Sequence, residues 1–333
     1  MSKKFRFTQI TLLVAMILSM INCDTKNVLG PEETLEFTVY TTADGLNYDL
    51  IYDIAIDSLD RIWIATWWGI NVFDGQKWDT IDASDGLPYE NARVLHFDHQ
   101  GNLWIGSGGN GNGLVKFDGT TFTHYTTSDG LSDNSIESIG SQPDGTIWVG
   151  TSSGGACKFD GIQWFCYDTN YVNWYQVLSI YAESDSSVWF GTSDGVTHFD
   201  GKSWAKYFFR EDTAPNGLHY PKVIWAIDFD QRGTGWFGFP QGIYMYCGRE
   251  FHIKTFGDFE SVGISDITDD DIGNVWFSSY SKGTYRYHNG MWTNYSTEAG
   301  LPTTWVSSVE VDSRGGIWFG TQEGLVKLTV GSN

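Results

Sequence analysis

The sequence predicts an all-β fold, a seven-bladed β-propeller with four antiparallel strands per blade. Three observations predict it. Seven tryptophans, Trp63, Trp104, Trp148, Trp189, Trp236, Trp276 and Trp318, recur at spacings of 41, 44, 41, 47, 40 and 42 residues. A fixed period in this range, with room for four short strands per unit, is the mark of propeller blades. Each Trp is followed by a β-branched or aromatic residue and usually then by Gly. The two ends of the chain are also out of phase with the repeat. Residues 36–41 (EFTVYT) read as the last strand of a unit, and 306–312, 316–321 and 324–329 supply only three strands of the seventh. The N-terminal strand is therefore expected to complete the C-terminal blade. A ring closed this way has no free edge at its seam.

The chain opens with a targeting segment. Lys3, Lys4 and Arg6 precede an apolar run over 10–21 that is short for a membrane span. Cys23 follows directly. The arrangement resembles a bacterial lipoprotein signal, in which that Cys is lipidated and becomes the mature N-terminus. Met20 and Asn22 depart from the Leu and small residue such signals favour. The expected domains are a signal peptide over 1–22, a polar tether over 23–34 and the propeller over 35–333. The expected location is the cell envelope, at the outer membrane or periplasmic face, with the lipid as the only membrane attachment and the protein a monomer.

Within each unit an inner strand carries an apolar residue nine positions before the Trp: Ile54, Leu95, Ile139, Ile180, Ile227, Ile267 and Val309. A turn rich in Asp and Gly follows, then the Trp strand. The third strand runs into Phe-Asp-Gly at 73–75, 117–119, 159–161 and 199–201, replaced by Tyr-Cys-Gly at 246–248 and His-Asn-Gly at 288–290. Such pairs signal hairpins because Gly accepts positive φ. An outer strand with Trp78, Phe122, Trp164, Trp204, Phe251 or Trp292 closes the unit.

Composition bounds the partners. Forty-one acidic residues against 20 basic ones give a formal net charge of −21. Such a surface repels phosphate backbones and argues against nucleic acid. The 16 tryptophans have a structural role first, as flat fillers between blades.

These repeats resemble the two-component regulator propeller repeat. Gly130-Leu131-Ser132 and Gly300-Leu301-Pro302 begin units, and Leu103-Trp104-Ile105-Gly106 and Ile317-Trp318-Phe319-Gly320-Thr321 continue them. The resemblance runs from about Leu35 to Thr329. It implies a sensor-type propeller of the envelope that responds to polysaccharide fragments. Only Val-Gly-Ser-Asn follows Thr329, so signalling would need a partner chain.

Other motifs weigh less. Gly-x-Ser-x-Gly occurs at 150–154 and 191–195, but between two strands and without the helix that a nucleophile elbow needs. The glycines at 106–111 also lead to a strand, so they read as a loop. The seven histidines show no zinc spacing. Asp269-Asp270-Asp271 replaces an ordinary turn and lacks the alternation of a calcium loop. If the turn at Asp160-Gly161 has two residues, Cys157 faces Trp164 and Gly155 faces Cys166. Cys157, Cys166 and Cys247 are then expected as thiols without a good bridge.

The candidate site is the channel mouth, on the face made by loops entering inner strands and loops joining second to third strands. Eleven residues before each Trp come Tyr52, Arg93, Glu137, Leu178, Trp225, Ser265 and Ser307. The surrounding loops add Trp67, Trp68, Asn110, Trp174, Tyr175, Tyr280 and Trp305, with Tyr89, Asn173 and His219 nearby. The expected ligand site is Tyr52, Trp67, Trp68, Arg93, Asn110, Glu137, Trp174, Tyr175, Trp225, Tyr280 and Trp305. Flat rings beside Arg, Glu and Asn suit a sugar, whose C–H faces stack and whose hydroxyls need directed partners. The expected function is non-catalytic binding of an oligosaccharide or an envelope protein, with no cofactor, no metal and no catalytic residue. The alternative is a metal-dependent lyase. The repeat is also similar to that of virginiamycin B lyase, which would imply a His on the channel face, and His219 is the one His in these loops.

Overall fold

The computed structural model describes residues 33–209, 223–247, 250–254 and 262–332. They form seven four-stranded antiparallel sheets, each built from consecutive strands except the last. There Glu33–Tyr40 lies outermost, beside Gly324–Ser332, in a ladder of eight paired residues from Glu33↔Ser332 to Tyr40↔Leu325. The seven blades and the offset closure read from the sequence are both present. Inner strands pack on their neighbours all the way round, including Ile51–Ile56 of blade one on Val306–Val311 of blade seven. No helix of the described residues is long and apolar enough to cross a membrane. The signal peptide, Cys23 and the tether as far as residue 32 lie outside the described residues; Glu33 and Thr34, expected in the tether, belong to the first strand instead.

Each anchor Trp has two fixed partners. Its indole N–H donates to the side chain six residues earlier, at the start of the preceding turn: Asp57, Asp98, Gln142, Glu183, Asp230, Asp270 and Asp312, at 2.9–3.2 Å. In the five blades where this partner is Asp, the same carboxylate shapes the turn. Asp98 accepts the backbone amides of Gln100 and Asn102 as well as the Trp104 indole. Burial works against the Asp98 anion, but these hydrogen bonds outweigh it and hold the group below its usual range. Asp270 does the same for Ile272, Asn274 and Trp276, so the three-Asp stretch is a turn of this kind.

The second partner is the next blade. Trp63 packs on Phe97 and Phe117, Trp104 on Phe159, Trp148 on Phe190, Trp236 on Phe277, Trp276 on Phe319, and Trp318 returns to Phe73 of blade one. A basic side chain directly across the ladder covers the ring in several blades. Lys116 lies over Trp104, Lys158 over Trp148 and Lys327 over Trp318, at 4.7–5.8 Å from the ring centre. Many of the few cations are thus spent on the seams.

The Phe-Asp-Gly turns differ from the two-residue hairpins that their dipeptides signal. In blade three Phe159 pairs with Trp164, leaving a four-residue loop, 160–163. The Asp160 carboxylate accepts the amides of Ile162 and Gln163, which stabilises the wider turn. Gly161 has φ +93°, and a Cβ there would meet no atom within 4 Å, so Gly serves the backbone conformation and not a steric need. The wider loop shifts the register by two residues. Cys157 stands directly opposite Cys166, with Cα atoms 4.0 Å apart, and the two form a disulfide. This corrects the expectation that both are thiols. Blade six does use the two-residue form: His288 pairs with Met291 around Asn289 and Gly290, both at positive φ.

Candidate ligand site at the channel mouth

The inner strands carry an irregularity that builds the site. In blades one, three, four, six and seven the ladder to the Trp strand slips by one residue, at Tyr52, Glu137, Leu178, Ser265 and Ser307. In blades two and five the ladder begins just after Arg93 and Trp225. The slipped residue is the one eleven positions before each Trp. A bulge of this kind re-aims a side chain and bends the strand. All seven residues line one cavity of about 720 Å³, within the range of small-molecule sites.

One side of the cavity is aromatic. Trp225 and Tyr280 meet edge to face at 5.6 Å, and Tyr280 and Trp305 lie 5.2 Å apart. These rings come from blades five, six and seven. Tyr52 of blade one adds a fourth ring, with the Arg93 guanidinium 5.5 Å from its centre. Glu137 follows in blade three and accepts a hydrogen bond from the Ser152 hydroxyl. That serine is in the first Gly-x-Ser-x-Gly stretch, and its partner here is a carboxylate.

Deeper in the channel lie carboxylates that the sequence reading passed over. Asp53 and Asp266, one residue further along their strands, line the cavity, as does Glu310. Asp53 accepts the Leu95 amide of blade two at 2.8 Å, and Asp266 accepts the Val309 amide of blade seven at 3.0 Å. Each therefore ties its blade to the next. Burial pushes Asp266 up to about 7. Burial, and then the nearby Asp266 charge, push Asp53 well above the usual carboxylate range. Burial followed by Asp266, Asp53 and Asp228 does the same for Glu310. The signal was visible for Asp53 and Asp266, which take a position held by Val94, Ser138, Ser179, Ala226 and Ser308 in the other blades; the Glu310 position is mixed, with His96, Tyr181 and Asp228 among its counterparts, and gives no such signal.

Of the expected site residues, the fold gathers Tyr52, Arg93, Glu137, Trp225, Tyr280 and Trp305 around the cavity. Trp67, Trp68, Trp174 and Tyr175 are not in its wall. They stand exposed on the loops above, at 42–52% of full exposure. Asn110 is in the short turn Gly108–Asn110 of blade two, where Gly109 touches the cavity; its side chain lies outside the described residues. Tyr89 and Asn173 are structural. The Tyr89 hydroxyl donates to the carbonyls of Ile105 and Gly113, and the Asn173 amide to those of Asp194, Val196 and Tyr207. His219 lies outside the described residues. Among the described residues no group of three or more His, Cys, Asp and Glu side chains is arranged to hold a metal ion.

The fold is shared with solved propellers. The extracellular domain of BT3049 from B. thetaiotaomicron, assigned to a hybrid two component system, superposes with a TM-score of 0.72 at 18% identity, over 88% of this chain and 41% of that one. This chain thus spans about two fifths of that protein's length. A catalytically inactive variant of virginiamycin B lyase from Staphylococcus aureus, with quinupristin, gives 0.71 at 18% identity, over 90% of this chain and 99% of that one. PorZ, a surface component of the type-IX secretion system of Porphyromonas gingivalis, gives 0.65 at 16% identity, over 84% and 46%. No curated protein matches in sequence. The model of the two component regulator propeller family matches residues 86–109 and 300–323. Each stretch runs from the glycine after an outer strand, through the inner strand, to the end of the Trp strand. The two stretches that match this family's model lie in blades two and seven of the seven-bladed ring.

Proposed function

We propose that the protein is a non-catalytic binding propeller of the cell envelope that takes a small ligand at its channel mouth and acts with a separate signalling protein. One observation carries the reading: seven residues at one repeat position, one from each blade and five of them at bulges, converge on a single cavity with rings along one side. A rigid ring that presents variable side chains from equivalent positions is a binding scaffold. Oligosaccharide fragments are the ligands the rings and polar groups suit, and an envelope protein is the competing partner. The two component extracellular domains that share the fold support a sensing role. In this reading residues 1–22 direct export, Cys23 carries the lipid, the residues from there to the strand at Glu33 tether the ring, and the protein is monomeric.

The second reading is a metal-dependent lyase, favoured by the near-complete coverage of virginiamycin B lyase. A thermal-shift screen against oligosaccharides, with and without EDTA, separates the two. Ligands that bind only the native state raise its melting temperature. A shift insensitive to EDTA and lost in Trp225→Ala supports the binding propeller. A shift that needs metal, with eliminase activity lost in His219→Ala, supports the lyase.

A further inference from the structure

The cavity wall has a charge as well as a shape. Among its described lining residues Arg93 is the one basic side chain, against Asp53, Glu137, Asp266 and Glu310. Three of these acids lie close together: the Asp266 charge raises Asp53, and Asp266 and Asp53 both raise Glu310. The rings stand on the same lumen. The site already holds one cation–aromatic pair of its own, Arg93 over Tyr52; Trp225, Tyr280 and Trp305 border the same lumen, with the Tyr280 hydroxyl within reach of the Arg93 charge. Aromatic faces with carboxylates behind them are the surroundings in which an organic cation is best held, since the ring quadrupole and the anions act on the same charge.

We propose that the channel-mouth cavity takes a ligand bearing an organic ammonium group, with the cation against the Trp225–Tyr280–Trp305 arc and its counter-charge supplied by Glu310 or a neighbouring channel acid, which releases its proton to solvent as the cation binds. The inference rests on the binding reading above and narrows its ligand class. It favours an amine-bearing ligand over an acidic one, because the lumen offers an anion one basic side chain, Arg93, against four acidic ones. It favours an organic cation over a bare metal ion, because these acids are not grouped as metal ligands and two of them accept backbone amides of the next blade. Among the described residues Glu310 accepts no amide of a neighbouring blade, so its change reads binding with less effect on the ring than a change at Asp53 or Asp266.

Isothermal titration of the purified protein at about 0.15 M salt, where long-range attraction to the acidic surface is screened, tests this. The probes are the glucosamine trimer, its fully N-acetylated counterpart, spermidine and tetramethylammonium. The expected result is binding of at least one cationic probe. The free-amine trimer should bind about tenfold more tightly than the acetylated one, the worth of a charge-assisted contact. Glu310→Gln and Trp225→Ala should each weaken the cationic probes by a similar factor. Two variants are used so that failure of either to fold leaves the other as the readout. Equal affinity for the two trimers overturns the inference and leaves the binding reading standing. Overturning also follows if no cationic probe binds, if binding survives in both variants, or if millimolar Ca²⁺ displaces the amine by occupying the carboxylates.

Discussion

The indole nitrogen of Trp104 donates to the Asp98 carboxylate at 2.9 Å, across a turn whose own amides point at the same group. The indole bond recurs in every blade, with Gln142 and Glu183 replacing Asp in blades three and four, and in the five blades with Asp the turn amides point at the same carboxylate. One side chain thus closes the turn between inner and second strand and satisfies the polar atom of the ring that seals the blade against its neighbour. Losing it strands a buried indole N–H and two turn amides. Asp98→Ala should destabilise the protein by about 2–4 kcal/mol, given roughly 1–3 kcal/mol for each buried group left unsatisfied. Asp98→Asn, which keeps an acceptor, should cost less. Chemical denaturation of both variants checks the order; equal losses would show that the charge, not the acceptor, is what matters.

The channel acids make stability depend on pH with a definite sign. Asp266 is raised to about 7 in the folded protein against an ordinary value near 3.8. Between those values the native state holds a proton that the unfolded state releases. Its stabilisation is complete below the lower value and is lost as pH rises through the higher one. In Asp266→Asn the group is neutral throughout. The stability of that variant relative to the parent should rise between pH 5 and 8, at no more than about 1.4 kcal/mol per pH unit. Melting curves across that range give the answer, and a difference that stays flat with pH would remove Asp266 from the account.

The disulfide spans a short hairpin at the outer half of blade three, with nine residues of sequence separation. Loop-closure entropy for so short a loop is worth about 2–3 kcal/mol. Reduction, or the paired change Cys157→Ala with Cys166→Ala, should lower the melting temperature by a few degrees, at about 2–4 °C per kcal/mol. The ring should stay closed by circular dichroism. No change on full reduction would mean that the ladder already holds these strands in the unbridged protein.

The ring was legible in the sequence because its seams repeat. Trp followed by a bulky residue marks the second strand, and the residue nine before it pairs with the one just after, as Ile54 does with Ile64 and Val309 with Phe319. The column eleven before the Trp was legible for the same reason, since one bulge repeats in most blades. Strand alternation alone hides the next column. A residue one step from Tyr52 should face away from the lumen, yet the slip at Tyr52 leaves Asp53 both on the lumen and against blade two. The Cys157–Cys166 pairing was hidden by a side chain. Asp160 captures two amides and widens the turn, which the Asp-Gly pair alone does not reveal. Trp67 and Trp68 occupy the two-residue turn between Thr66 and Gly69, which carries their rings above the cavity instead of into it.

That division of the aromatic residues leads to a direct comparison. Trp225 sits in the cavity wall, half-buried against Tyr280. Trp68 and Trp174 stand 52% and 50% exposed on loops of blades one and four. For any ligand found by the thermal-shift screen, Trp225→Ala should weaken binding about tenfold, the loss of one stacked ring, or roughly 1.4 kcal/mol. Rim contacts around a buried anchor contribute little, so Trp68→Ala and Trp174→Ala should shift affinity by less than about twofold. Titration of the three variants against the parent settles where the ligand lies. Equal losses at Trp225 and Trp68 would place a longer ligand across the loops as well as in the cavity. A loss confined to Trp68 and Trp174 would move the site out of the channel and onto the upper face, with a partner broad enough to reach from blade one to blade four.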